Sequence, residues 1–177
     1  PGDDVYIRGP HGAPVMPRGD ANIICVAGGT GLAAVYQVAR DFGSNDKPAQ
    51  IFAGARSADR LYFTEECKDI AKVHIATDDG SAGFNGRVTD ALRDYLETLD
   101  AETLAKTEFY NCGPEPMIHA AEAVQREFVE ASQMFSAIDY TTKCGVGICG
   151  ACASPDGRRI CVDGPFINTQ LMTHPEQ

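Results

Sequence analysis

Four short apolar runs punctuate this chain: Ile23–Ala27, Gln50–Gly54, Val73–Thr77 and Glu108–Cys112. Each is nearly continuous in apolar character, the pattern of a strand buried on both faces rather than of one with a wet side. A different period fills the stretches between and after them. Val88, Leu92, Tyr95 and Leu99 recur at i, i+4, i+7 and i+11, and Met117, Ala121, Val124 and Phe128 repeat that spacing. Each set makes one apolar stripe able to cover a sheet. Pro114 and Pro116 stand at the start of the second stripe, where a missing N–H costs a helix least. Strands alternating with helices predict an α/β fold with a doubly wound parallel sheet over roughly residues 20–135.

The two ends have another texture. In residues 1–17, Val5–Ile7 reads as one strand, and Gly9-Pro10 and Gly12 as turn residues. One strand cannot form a domain, so this segment is expected to pack on the α/β unit or on something absent. The chain opens Pro1-Gly2 with no Met, as though cut from something longer. Residues 136–169 hold too few apolar side chains for a core of their own. The expected division is therefore 1–17, an α/β domain over 18–135, a small cassette over 136–169 and a loose tail over 170–177.

What holds the cassette together is written in its cysteines. Cys144, Cys149, Cys152 and Cys161 are spaced C-x4-C-x2-C-x8-C. The first three match the plant-type spacing in which thiolates surround a 2Fe-2S cluster. Gly145, Gly147 and Gly150 suit the same reading, because a loop wrapped on a cluster turns its N–H groups toward the sulfurs and needs positive φ to do so. Zinc is the first alternative, but four-cysteine zinc sites usually come as two C-x2-C knuckles and only one pair here has that spacing. Disulfides are disfavoured by the odd total of seven cysteines. A chain of this kind carries electrons, and the metal itself is expected to order the cassette.

Charge narrows the partners. A formal net charge of −10 argues against nucleic acid, whose phosphates it would repel. It suits a redox partner with a basic face, or simply solubility. No stretch approaches the roughly 20 apolar residues of a membrane span, and no signal peptide precedes the first strand, so the expected location is cytoplasmic.

Directly after the first strand comes Gly28-Gly29-Thr30-Gly31. Glycine at a strand–helix turn lets the backbone approach a pyrophosphate, and the helix N-terminus offers N–H groups and a positive dipole end. The spacing is not G-x-G-x-x-G, and a tight turn without a ligand would look the same. Arg56 and Ser57 follow the second strand, where they meet a ribose 2′-phosphate or, for Ser57 with Asp59, cap the next helix. Asp78 and Asp79 lie in a turn-rich loop after the third strand. Cys112-Gly113-Pro114 follows the fourth, with the thiol either facing the crevice or buried and inert; Cys25 and Cys67 read as structural.

Taken in order, these motifs resemble the electron-transfer subunits of dihydroorotate dehydrogenase, in the ferredoxin–NADP reductase superfamily. They are Val26–Gly31, Gly54–Ser57, Ala76–Ser81 with Gly86–Thr89, Cys112–Met117, Lys143–Cys152 and Cys161–Phe166. The resemblance covers nearly the whole chain and implies a role for each site. Gly28, Gly29, Thr30 and Gly31 hold the NAD(H) pyrophosphate, Cys112, Gly113 and Pro114 lie beside the nicotinamide, and the four cysteines hold the cluster. It also implies FAD, bound by an N-terminal β-barrel with an Arg-x-Tyr-Ser-type motif that this sequence lacks; residues 1–17 look like the last strand and exit loop of such a barrel. The implied partner is a flavoprotein catalytic subunit in a hetero-oligomer, with electrons relayed between dihydroorotate and NAD in pyrimidine biosynthesis. The gamma subunit of sulfhydrogenase and the small subunit of NADH-dependent ferredoxin–NADP oxidoreductase look similar across the same motifs. A reading from another class is a non-enzymatic 2Fe-2S carrier on a vestigial scaffold.

Overall fold

The structure, a computed structural model, describes residues 2–44, 46–137 and 140–171. Its centre is a seven-stranded sheet. The long strands are β1 (Asn22–Gly28), β2 (Ala49–Ala55), β3 (Ala71–Thr77) and β5 (Thr107–Cys112), each containing one of the predicted runs. Shorter strands are β4 (Phe84–Asn85), β6 (Met134–Ala137) and β7 (Ile167–Asn168). The order across the sheet is β4-β3-β2-β1-β5-β6-β7, parallel throughout except for the last pairing.

Strand alternation decides the two cores. From β1, Ile23, Cys25 and Ala27 point to one face, where α1 (Gly31–Phe42) and α2 (Thr64–Lys68) supply Leu32, Val35, Val38 and Cys67. Ile24 and Val26 point to the other, beneath α3 (Val88–Leu96), the short α4 (Ala101–Ala105) with its Leu104, and α5 (Glu115–Gln125). Both predicted stripes lie on this second face, although Leu99 and Phe128 fall just beyond the helices that carry the rest of their sets. Pro114 is the N-cap residue of α5.

Three observations depart from the sequence reading. Val5–Ile7 is not a strand: the three side chains are 79, 96 and 91% exposed and pair with nothing in the sheet. An apolar triplet has β propensity, but a strand needs a ladder, and no sheet edge lies beside it. Second, β6 runs across the boundary drawn at 135/136. Its Ser136 is fully buried, donating to Glu122 Oε1 at 2.6 Å and accepting from Asn111 at 3.2 Å, so a polar residue sits inside a strand without leaving a partner unmet. Third, the cassette does not stand apart. Its strand β7 pairs antiparallel with β6, and Phe166 meets Tyr110 edge-on at 5.5 Å, with Phe135 stacked on Tyr110's ring at 5.2 Å. Of the tail expected over 170–177, Gln170 and Leu171 close a final 3₁₀ turn, and the remaining residues lie outside those described.

Candidate redox and nucleotide sites

The strand order reverses between β1 and β5, which leave the sheet side by side with Ala27 opposite Cys112. In an open parallel sheet the crevice beyond the carboxyl ends at this switch point is where ligands bind. Two loops border it: Gly28–Gly31, which enters α1, and Cys112–Pro114, which enters α5.

The glycines of the first loop are there for different reasons. A Cβ on Gly31 would lie 2.1 Å from the Cys112 carbonyl oxygen, and one on Gly28 would lie 2.7 Å from Met117 Sδ. These two let the loops pack on each other. Gly29 is different: φ is +54° and a Cβ there would meet nothing within 4 Å. Its face is open at the N-terminus of a twelve-residue helix, where the positive dipole end lies, although the Leu32 and Ala33 N–H groups turn back to the Gly29 and Thr30 carbonyls at 3.3 and 3.1 Å. Thr30 holds the N-cap position without a side-chain cap bond.

Beside Gly29 a shallow cleft, with room for about 10 Å³, opens between the ends of β1 and β2, lined by Gly54, Arg60, Leu61 and Tyr62 among others. Tyr62 lies within electrostatic reach of Cys112; burial first, and then the Cys112 and Cys67 thiols, push its phenol above the usual range. Cys112 itself is half-buried, packed against the α1/α2 core cluster. Sequence reasoning passed over both Tyr62 and Arg60. The only signal was Leu61-Tyr62-Phe63, an apolar run too short to be assigned to a strand or a helix.

Arg56 is exposed, while Ser57 donates to Asp59 at 2.5 Å and Asp59 pairs with Arg60 at 3.5 Å. The Asp78–Asp79 loop is stitched to the same spot: Asp78 N–H donates to Ala55 O and Asp79 N–H to Arg56 O, both at 3.1 Å. Ser81 donates to the Asp79 carboxylate from its hydroxyl at 2.5 Å and its backbone at 2.9 Å, which holds Asp79 below the usual carboxylate range. Cys25 and Cys67 are buried on the α1/α2 face. Burial raises both thiols, Cys67 to about 11, as suits inert core residues.

In the cassette, Gly145, Gly147 and Gly150 all take positive φ, at +74, +75 and +71°. That backbone turns N–H groups onto sulfur: Gly147 donates to Cys161 Sγ at 3.2 Å, and Ile148 and Cys149 donate to Cys144 Sγ at 3.3 and 3.4 Å. The Cys149 and Val146 backbones lead in holding the Cys144 thiol down at about 6. Side-chain hydrogen bonds join Cys144 to Cys149 and Cys152 to Cys161. Two thiol pairs with inward N–H groups suit a two-iron cluster in which each iron takes one pair. Among the described residues, no three His, Cys, Asp or Glu side chains close on a single point. Nor, among the described residues, is any helix long and apolar enough to cross a membrane.

Comparison with known proteins gives two family matches along the chain. Residues 25–123 match the oxidoreductase NAD-binding domain, and residues 141–173 match the iron-sulfur cluster binding domain of dihydroorotate dehydrogenase B. Relatives described as probable dihydroorotate dehydrogenase B (NAD(+)) electron transfer subunits are 32% identical in Methanocaldococcus jannaschii, 36% in Methanocella arvoryzae and 35% in Thermococcus kodakarensis. These matches take in 94, 99 and 97% of this chain but 62, 66 and 68% of those proteins, so the chain spans about two thirds of their length. Among solved structures, an NADH-dependent reduced ferredoxin–NADP oxidoreductase superposes with a TM-score of 0.74 at 31% identity, covering 94% of this chain and 59% of the other. A ferredoxin reductase of carbazole 1,9a-dioxygenase gives 0.52 at 25%, covering 68 and 36%.

Proposed function

Since the chain belongs to the family of dihydroorotate dehydrogenase B electron transfer subunits, we propose that it relays electrons between NAD and a flavoprotein partner that oxidises dihydroorotate. The observation that carries this reading is the pair of sites on one scaffold: a dinucleotide crevice at the switch point, and a four-cysteine cassette paired with the edge of the same sheet. A nicotinamide gives up electrons in pairs as hydride and a 2Fe-2S centre takes them singly, so FAD is the group that converts between them. The relatives' additional length is where this reading puts the flavin. The setting is cytoplasmic.

The chain's own residues have binding and positioning roles. Gly29 and the first turn of α1 receive the pyrophosphate, and the open face over Gly29 is what admits it. Cys112, Gly113 and Pro114 border the nicotinamide end, across the switch point from the Gly28–Gly31 loop. Arg56 and Ser57 border the adenosine ribose. Asp59 beside Ser57 disfavours a 2′-phosphate, which supports NAD over NADP. Cys144, Cys149, Cys152 and Cys161 hold the metal, with the loop N–H groups stabilising negative charge on sulfur.

Substitution tests the nucleotide half. Gly29→Val fills the open face and is expected to weaken NADH binding about tenfold or more, roughly 1.4 kcal/mol, with the cluster's visible spectrum unchanged. Calorimetry with NADH and NADPH also tests the coenzyme: tighter NADPH binding that disappears in Arg56→Ala would reverse the assignment.

The relay is tested by choice of reductant. In anaerobically reconstituted protein, dithionite should bleach the cluster and NADH without added flavin should not. A chain extended by a relative's flavin-binding region should bleach with NADH, and with a dihydroorotate-oxidising flavoprotein it should form NADH from dihydroorotate and NAD. Bleaching of the present 177 residues by NADH alone would sink the relay as drawn. The similarity to an NADH-dependent ferredoxin–NADP oxidoreductase supports a second reading with another partner. Under that reading the extended chain accepts electrons from NADH yet fails to couple to dihydroorotate.

A further inference from the structure

The segment ahead of β1 has a use that neither site accounts for. Residues Val5–Ile7 are exposed, and so are the next six, yet Arg8, His11, Gly12 and Ala13 among those six each touch the cassette. Arg8 donates to the Lys143 carbonyl oxygen, immediately before the first cysteine of the set. The His11 ring lies on the α-carbon of Gly145, immediately after it; a Cβ on Gly145 would sit 2.4 Å from the ring's Cε1. Gly12 N–H donates to the carbonyl oxygen of Cys161, the last cysteine, at 2.9 Å, and Ala13 N–H donates to Gly164 O at 2.6 Å. Contacts thus bracket the first ligand and engage the last.

We propose that Arg8–Ala13 is a clasp on the iron–sulfur site, tying the Cys144 loop to the Cys161 turn and covering the cluster loop with the His11 ring. This rests on the 2Fe-2S reading of the four cysteines. Two glycines show that the fit is close. Gly12 has φ +86° and a Cβ there would lie 2.0 Å from the Gly164 carbonyl oxygen, so two backbones approach where no side chain fits. Gly145 leaves on the loop the space that the His11 ring fills. The clasp is also anchored behind. Val15 packs on the core, and Arg18 donates to Glu108 Oε1 at 2.8 Å, a carboxylate only 3% exposed at its residue. The chain runs from that anchor on β5 outward to the cluster, so the position of the cassette over the sheet is fixed from this side as well as through β7. His11 acts on metal retention as a positioning residue, through Gly145 and the loop. Outer partners of metal ligands commonly change affinity by 10- to 100-fold.

The test follows cluster loss. Reconstituted wild-type chain, His11→Ala, His11→Phe, Gly12→Ala and the control Tyr6→Ser are mixed anaerobically with excess iron chelator. Decay of visible absorbance is timed, and helix content is checked by circular dichroism. His11→Ala is expected to lose iron about tenfold faster than wild type, and Gly12→Ala at least as fast, both with helix content intact. His11→Phe, which keeps a ring over Gly145, should return close to the wild-type rate, and Tyr6→Ser should match it. Wild-type rates in His11→Ala and Gly12→Ala would overturn the clasp while leaving the cluster reading in place. His11→Phe decaying as fast as His11→Ala would overturn the ring as cover. A wild-type chain that takes up no iron would remove the cluster reading itself, and the clasp with it.

Discussion

Cys161→Ser is expected to yield a colourless protein from the same anaerobic reconstitution that gives the wild-type chain about two irons. Cys161 is buried and takes part in three of the links that close the cassette. Its sulfur accepts the Gly147 N–H, its thiol pairs with that of Cys152, and its carbonyl accepts the Gly12 N–H. Serine keeps the carbonyl, so the clasp bond survives, but a hydroxyl is a poor substitute for a soft thiolate on iron. A cassette with little apolar core of its own owes its order to the metal. Hydrogen exchange over residues 140–165 should therefore speed up sharply, while the amides of β1, β2 and β5 stay protected. Retention of colour and iron in Cys161→Ser would remove this residue from the ligand set.

The second large effect separates two glycines that look equivalent in sequence. Gly31→Ala places a Cβ 2.1 Å from the Cys112 carbonyl oxygen and 2.8 Å from Gly113 N. The neighbours are backbone in the loop that leaves β5, with no flexible side chain to swing aside. Forcing the loops apart should cost about 3 kcal/mol or more. In a chain of this size that lowers the melting temperature by roughly 6–12 °C. Gly29→Ala, two residues earlier, meets nothing and costs only the strain of a left-handed alanine, about 1–2 kcal/mol. Thermal melts of the pair decide the matter. Equal losses in the two variants would mean that Gly31 is not a packing glycine.

That contrast marks how far the sequence could be read. Of the four long strands, β1, β2 and β5 are buried along most of their length and read as near-continuous runs, while the half-buried β3 showed through Val73, Ile75 and Ala76; α3 and α5 were legible because each has one face on the sheet. Strand β6 was hidden by Ser136, whose burial is made tolerable by Asn111 and by Glu122, the latter a carboxylate on α5. No local pattern announces a partner that distant. Val5–Ile7 shows the reverse failure, since apolar residues alone do not say whether an edge is present to receive them. In the site, cysteine spacing carried most of the chemistry because ligand geometry is nearly local. Tyr62 and His11 escaped notice because their importance comes from what lies across the fold, Cys112 for one and Gly145 for the other. The Gly28–Gly31 turn was read as a single phosphate loop, whereas its three glycines divide between packing and an open face.

The antiparallel pairing of β7 with β6 has a consequence for handling the protein. Without β7, β6 would be the last strand of the sheet and would offer its free N–H and C=O groups to any other chain. The cassette therefore shields a sticky border. Oxidative loss of iron is expected to loosen the cassette and with it that cover, while the rest of the sheet should remain folded and in register. Damaged molecules should then meet through this uncovered border and clump from the native side, well below the temperature at which the sheet itself comes apart; light scattering of iron-stripped protein checks this.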